Sequence, residues 1–422
     1  MVSRILRGQL VGNALSLYAV QGLNYLMPLL MLPFLLRVLS ASGYGSIMFA
    51  QSLLGYAGIV TDFGFNLTAA RDISVARDDP ERVARVYWTT MAAKSLLFLV
   101  SGLVVGMVVF LTPGFRADWP IFAASGLIVV GNVLFPQWYF QGLERLKEVA
   151  LSQAVAKCLV AAAAIALVRS PHDVVLAALI LSSPQLIGAL AALCLGKRLA
   201  PARFYRPGLK DIREALGGSW HMFAAGVSTS LYMYTNTFLL GLMCGEQQVG
   251  LYSLANKVVG FVQGLAGPVT QAVFPRASLL FDQRKDQAWN LLRRMAWVLL
   301  PVLGLAALLL AALAPQVIAV LGGASYVAAV SVLRILAPVP LLVTVATILA
   351  QTVMVNLGLT AQLSRIYAVV GVLNLLVLPV LVHQFAADGA AWSLLFAEAL
   401  GPILMLRVLR QHRDALGLPG AR

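Results

Sequence analysis

The chain has 422 residues, 60% of them hydrophobic and only 11% charged, with a mean hydropathy of +0.85. A soluble protein of this length would carry about 25% charged residues, so the composition excludes a soluble domain and calls for a polytopic, all-α membrane protein. A net charge of +14 would point to nucleic acid in a soluble chain, but these charges lie in short loops between apolar segments. No nucleic-acid partner is expected, and the positive-inside rule accounts for the excess.

A membrane span needs about 20 apolar residues. Twelve segments meet that length approximately: 10–36, 45–69, 88–111, 119–140, 150–168, 174–195, 217–243, 250–274, 296–321, 329–355, 365–384 and 389–408. The first follows Arg4 and Arg7 and is too long for a signal-peptide core, with no small-residue cleavage site after it, so it reads as an uncleaved span. Twelve spans with that basic start put both termini in the cytoplasm. Of the 31 lysines and arginines, twenty-four then fall in cytoplasmic segments, four at outer ends and three within spans. That asymmetry supports the orientation. The basic stretch 197–216 separates a first lobe, 1–196, from a second, 217–422. Six spans per lobe give the lobes the same orientation, related by a pseudo-twofold axis along the membrane normal.

Span two holds the most telling pattern. Read as a helix, Gly45–Arg71 places Gln51, Gly55, Gly58, Asp62 and Asn66 on one stripe. The stretch 205 residues later, Gly250–Arg276, places Asn256, Gly260, Gln263, Gly267 and Gln271 in the same register. A repeated small and polar face is what two duplicated halves facing a cavity would show. Asp62, a carboxylate inside a span, is costly there and is expected in a bundle interior or a watered cavity. It is the candidate coupling residue for H+ or Na+, and a hydrogen-bonded pairing with Asn66 or a neighbouring lysine is the competing reading.

At the start of span three, Asp79-Pro80 reads as a helix N-cap and first-turn pair rather than half of a metal site. It opens a short amphipathic helix through Tyr87, and 286–295 looks like its equivalent in the second half. In Pro136-Gln137-Trp138-Tyr139-Phe140-Gln141-Gly142, interfacial anchoring explains Trp138 and Tyr139. Span seven carries Thr229, Tyr232 and Asn236 on one face, suited to a sugar-binding wall, although helix packing in the membrane is the favoured reading of such residues. Pro28, Pro33, Pro268, Pro338 and Pro340 predict kinks or breaks in spans one, eight and ten.

The chain lacks a Walker lysine loop, HExxH and GxSxG. Its four histidines are scattered, and Cys158, Cys194 and Cys244 form neither a disulfide framework nor a metal cluster. No metal or cofactor is expected. The chemistry on offer is cationic: Lys94, Lys157 and Lys257 within spans, and Arg37 and Arg334 near outer ends. Lys157 and Lys257 sit roughly 10 Å deep by helical rise, where snorkelling to the headgroups is harder. Only Asp62 and Glu398 oppose them within the spans. A cavity with more lysines than carboxylates attracts an anion, and phosphate suits a lysine acting as a point charge.

Arg37-Val38-Leu39, the Gly43–Gln51 turn, Asp62-Phe63-Gly64-Phe65-Asn66 ending at Arg71, and Phe135–Glu144 together resemble the Wzx-type lipid-linked oligosaccharide flippases. So do Val249–Ser253 running on to Lys257, and Phe274-Pro275-Arg276. These flippases form the polysaccharide transport branch of the multidrug/oligosaccharidyl-lipid/polysaccharide exporter superfamily. The resemblance implies two six-helix lobes in a V around a cationic cavity. It also implies alternating access that moves an undecaprenyl-diphosphate-linked repeat unit from the cytoplasmic to the periplasmic leaflet of the bacterial inner membrane. A cationic role carries over to Lys257, Lys94, Lys157 and Arg37, and the polar stripes themselves (Gln51 and Asn66 on span two, Asn256, Gln263 and Gln271 on span eight), with Asn236, are expected to line a sugar path. Membrane lipids, a glycan polymerase and a chain-length regulator are the implied partners. A multidrug or cation antiporter and a peptidoglycan-precursor flippase of the same superfamily are the alternatives. A membrane glycan polymerase or ligase ranks below them, because no outer loop is long enough for a catalytic domain.

Overall fold

A computed structural model describes residues 2–194 and 203–411. Among the described residues there is no β-strand, and the chain forms two compact units, Met1–Tyr234 and Thr235–Arg422.

The first unit begins with α1 (Val2–Asp62) and α2 (Phe65–Val75), followed by α3 (Pro80–Leu111). The short helices α4 (Pro113–Ala117), α5 (Trp119–Ser125), α6 (Leu127–Leu134) and α7 (Gln137–Gly142) come next. Then come α8 (Leu146–Leu167), α9 (Val174–Leu181), α10 (Pro184–Cys194) and α11 (Leu209–Cys244), whose C-terminal part enters the second unit. That unit continues with α12 (Glu246–Gln283), α13 (Lys285–Ala312), α14 (Ala314–Leu321), a 3-10 turn (Ala324–Tyr326), α15 (Ala329–Leu336) and α16 (Val339–Thr347). A π-helical segment (Ile348–Met354) and α17 (Thr360–Gln411) complete it.

Among the described residues, six helical stretches are long and apolar enough to cross a membrane, or seven if the bent pair α9–α10 counts as one. Two of these stretches join consecutive spans across a sharp backbone break. α1 breaks at Ser40 (φ 61°), where the Ser40 hydroxyl accepts a hydrogen bond from the Gly43 amide. α17 breaks at Ala386 (φ 49°), and a side chain at Gly389 would run into the Leu381 carbonyl, so the chain doubles back there. These breaks fall at the expected joints between spans one and two and between spans eleven and twelve.

The surface is apolar because its solvent is lipid. On α3, Leu99 and Leu103 are exposed, as are Val298, Leu305 and Leu308 on α13, the reverse of a water-soluble helix pattern. Inside the first unit, Phe65, Ile73, Tyr87, Trp138 and Phe140 form one core, and Met295, Leu299, Met354, Met405 and Leu409 form another in the second.

Three local expectations are corrected. The amphipathic starts at 80 and 286 are not separate helices: each is the first turns of an unbroken helix, α3 or α13. The Asp79 carboxylate does cap α3, accepting from the Glu81 and Arg82 amides at 3.0 and 3.1 Å. Trp138 and Tyr139 are buried rather than interfacial, with ring centroids 5.5 and 5.1 Å from that of Tyr87, because α7 packs onto α2 and presents them inward. Finally, Pro28, Pro33 and Pro268 do not break their helices, and of the five prolines only Pro338 and Pro340 stand at a break, between α15 and α16.

Candidate transport site

Gly45–Arg71 is not one helix. α1 stops at Asp62, Phe63 and Gly64 take positive φ (46° and 79°), and α2 restarts at Phe65. Gly64 is required twice over. Its conformation suits glycine, and a side chain there would press on Met222 and on the Phe223 amide. Phe63 stacks on Phe223 at 4.3 Å, which pins the break against α11. The periodicity of small and polar residues continues through the break, which is why the sequence pattern does not reveal it.

At this break the Lys94 ammonium of α3 lies 3.6 Å from the Asp62 carboxylate. Lys94 is buried and Asp62 half-buried. A buried charge is tolerated when paired, so the lysine alternative for Asp62's partner is the observed one. Asn66, beyond the break, is exposed, and Gln51 donates its amide to the Ser182 hydroxyl at 3.1 Å. Lys157 is half-buried and Arg37 exposed, and each has an interaction partner.

Where Arg71, Arg82 and Arg85 converge with the stretch 203–219, the first unit encloses an open cavity of about 860 Å³. Arg85 and Asp211 form an ion pair at 2.6 Å, and Arg203 pairs with Glu81. Asp211 also accepts from the Tyr205 hydroxyl and from the Gly208 amide, at 2.9 and 2.8 Å. Hydrogen bonding from Arg85 first, then from Gly208 and Tyr205, holds the Asp211 carboxyl down at about 2.

In the second unit, Lys257 lies on α12 and is exposed, with no partner among the described residues. Asn256 and Gln263, on the same helix, are half-buried; the Gln271 side chain lies outside the described residues, as do those of Thr229 and Tyr232. Asn236 is buried, at 1% exposure, and therefore lines no open surface of its unit. Its side-chain oxygen accepts from the Asn374 amide at 3.1 Å, and the Ser393 hydroxyl donates to Asn374 at 2.7 Å. Sequence reasoning missed Asn374 and Ser393, although both are polar residues on α17, a helix expected to span the membrane.

This architecture defines a class, the all-helical multi-pass membrane proteins. The fold is similar to that of the lipid II flippase MurJ in an inward closed conformation, with a TM-score of 0.73 at 11% identity over 94% of this chain and 87% of that one. It is also similar to an inward-facing multidrug resistance MATE family transporter of the MOP superfamily, with a TM-score of 0.64 at 15% identity over 93% and 99%. Residues 10–281 match the family described as polysaccharide biosynthesis protein, and the chain belongs to that family. A protein of Escherichia coli (strain K12) named "Putative O-antigen transporter" is 29% identical over 95% of this chain and 97% of its own length. A Shigella dysenteriae protein of the same name is 29% identical over 94% and 99%. The chain is thus a transporter of polysaccharide biosynthesis and not an enzyme.

Proposed function

We propose that this chain is a flippase that carries a polyprenyl-diphosphate-linked oligosaccharide from the cytoplasmic to the periplasmic leaflet of the bacterial inner membrane, by alternating access between two lobes. Family membership supports a lipid-linked glycan as cargo, because polysaccharide building blocks are assembled on such carriers. The observation that carries the reading is Lys257: a residue with accessible surface, its ammonium unpaired among the described residues, well inside a long helix of a membrane protein. A lysine facing hydrocarbon at that depth costs about 2.5–3.5 kcal/mol, so its exposure fits a watered path, where it is free to bind a diphosphate. Lys94 is already committed to Asp62, which leaves Lys257 as the principal phosphate contact and the Asp62–Lys94 pair as the coupling element for H+ or Na+. A glycan polymerase and a chain-length regulator are proposed as downstream partners.

The test is complementation of a deletion strain with wild type or Lys257→Ala. Surface glycan is expected to return only with wild type, and lipid-linked repeat units to accumulate on the cytoplasmic face with the variant. Normal export by the variant removes the diphosphate role. Normal surface glycan in the deletion strain, with altered drug sensitivity, replaces the flippase reading with a multidrug antiporter.

A further inference from the structure

The spans hold two carboxylates, Asp62 and Glu398, in unlike surroundings. Asp62 has the Lys94 ammonium at 3.6 Å. Glu398 lies midway along the expected span 389–408, roughly 14 Å from its outer end by helical rise. It has no hydrogen-bond or ion-pair partner among the described residues. Helical spacing puts it on the side of α17 that buries Gly401 and Met405, away from the exposed row Trp392, Phe396 and Ile403. The carboxylate is half-buried there, at the edge of the core that holds Ala397 and Met354, and not in the lipid-facing row.

The elements packed on α17 bring little charge to this place. α16 and the π-helical segment carry no titratable residue. α15 carries Arg334, which donates to the Ala311 carbonyl at 3.3 Å. α12 brings Tyr252, and the first arm of α17 brings Tyr367; both lie within electrostatic reach of the Glu398 carboxylate. Lys257, also on α12, forms no ion pair with it among the described residues.

A carboxylate without a counter-cation inside a membrane is neutralised by a proton or by a metal ion. A hard metal cation takes about six oxygen ligands or more. Among the described residues no group of three or more His, Cys, Asp or Glu side chains converges. A proton needs one oxygen, and a phenol hydroxyl can accept from the acid form or donate to the carboxylate. We infer that Glu398 is a proton-binding site of the second unit. It becomes the neutral acid by taking up one proton and the carboxylate by releasing it, once in each transport cycle. The coupling role rests on the reading of the chain as a flippase; the proton site itself does not.

Infrared difference spectra of the purified full-length protein test the site. Between about pH 9 and pH 6, where exposed carboxylates stay ionised, wild type should gain the carbonyl stretch of one carboxylic acid as the pH falls. Glu398→Gln is expected to lose that band, Glu398→Asp to shift it and Asp62→Asn to keep it. A wild type without the band, or a band that survives Glu398→Gln, overturns the inference. Proteoliposomes containing lipid-linked repeat units test the coupling. An imposed proton gradient should speed translocation by wild type and by Glu398→Asp, and Glu398→Gln should lose the response. A full gradient response in Glu398→Gln overturns the coupling role. Wild type that shows the band but moves no glycan lipid under any gradient supports the proton site and overturns the flippase reading.

Discussion

The stretches 45–71 and 250–276 share a register in sequence and part company in structure. The first is cut at Asp62–Gly64, with its carboxylate paired to Lys94; the second runs unbroken within α12. The position of Asp62 is taken by Gly267 in the second stretch, and that of Lys257 by Ser52 in the first. Ser52 is buried, and its hydroxyl donates to the Phe49 carbonyl at 2.6 Å. One stretch therefore holds its charge as a closed pair at a backbone break, and the other holds an open charge on a continuous helix. A shared polar period fixes which face carries the polar groups, while long-range partners fix whether that face is locked or available.

The sharpest way to break this contrast is to remove each lysine. Lys94→Ala strands the Asp62 carboxylate, and a buried pair that loses one partner typically costs about 3–5 kcal/mol. Reversible unfolding in mixed micelles should show that loss, and adding Asp62→Asn should recover much of it. Lys257→Ala leaves no charge stranded among the described residues, so its stability should stay within about 1 kcal/mol of wild type while export fails. Equal destabilisation by the two substitutions would erase the distinction between locked and open lysines.

A smaller effect separates the matched glycines Gly55 and Gly260. A methyl group at Gly55 would enter the Tyr234 ring, whereas at Gly260 it meets nothing within 4 Å among the described residues. Gly55→Ala is expected to cost about 1–3 kcal/mol through overpacking. Gly260→Ala should be neutral or stabilising by up to about 1 kcal/mol, because alanine is the better helix former. Opposite signs in the same unfolding assay support the contrast; matching signs remove it.

Much of this was legible in the chain itself, and for identifiable reasons. Sparse charge and long apolar runs specify lipid as solvent, and the Asp79-Pro80 pair marks the start of α3 because capping is local chemistry. The same local logic put Asp62 in need of a partner but could not choose between Asn66 and a lysine, because Lys94 lies 32 residues away on another helix. The break at Gly64 depends on the approach of Met222 and Phe223 from α11. The burial of Trp138 depends on α7 packing onto α2. The cavity depends on 203–219 returning to α2 and α3. Each is a contact between segments remote in sequence, which periodicity and propensity do not encode.

The start of α3 and the start of α13 extend the comparison to the helices that follow the two stretches. Arg85 and Glu81 on α3 are tied to Asp211 and Arg203, whereas the charged residues at the start of α13 form no ion pair among the described residues. The α3 clasp should therefore be the one that acid opens. Asp211 titrates at about 2 in the folded protein, below the roughly 3.9 of an unperturbed aspartate. A depressed folded value means that its contribution is complete above about pH 4 and is lost as the pH falls through about 2. A spin label placed by Leu209→Cys, at a position 84% exposed, should keep constant mobility from neutral pH to about 4 and loosen below that. With Asp211→Asn the label should be mobile at every pH. A label that stays rigid down to pH 2, or that is unaffected by Asp211→Asn, would show that the clasp is held by the packing of Phe204 on Trp88 rather than by the carboxylate.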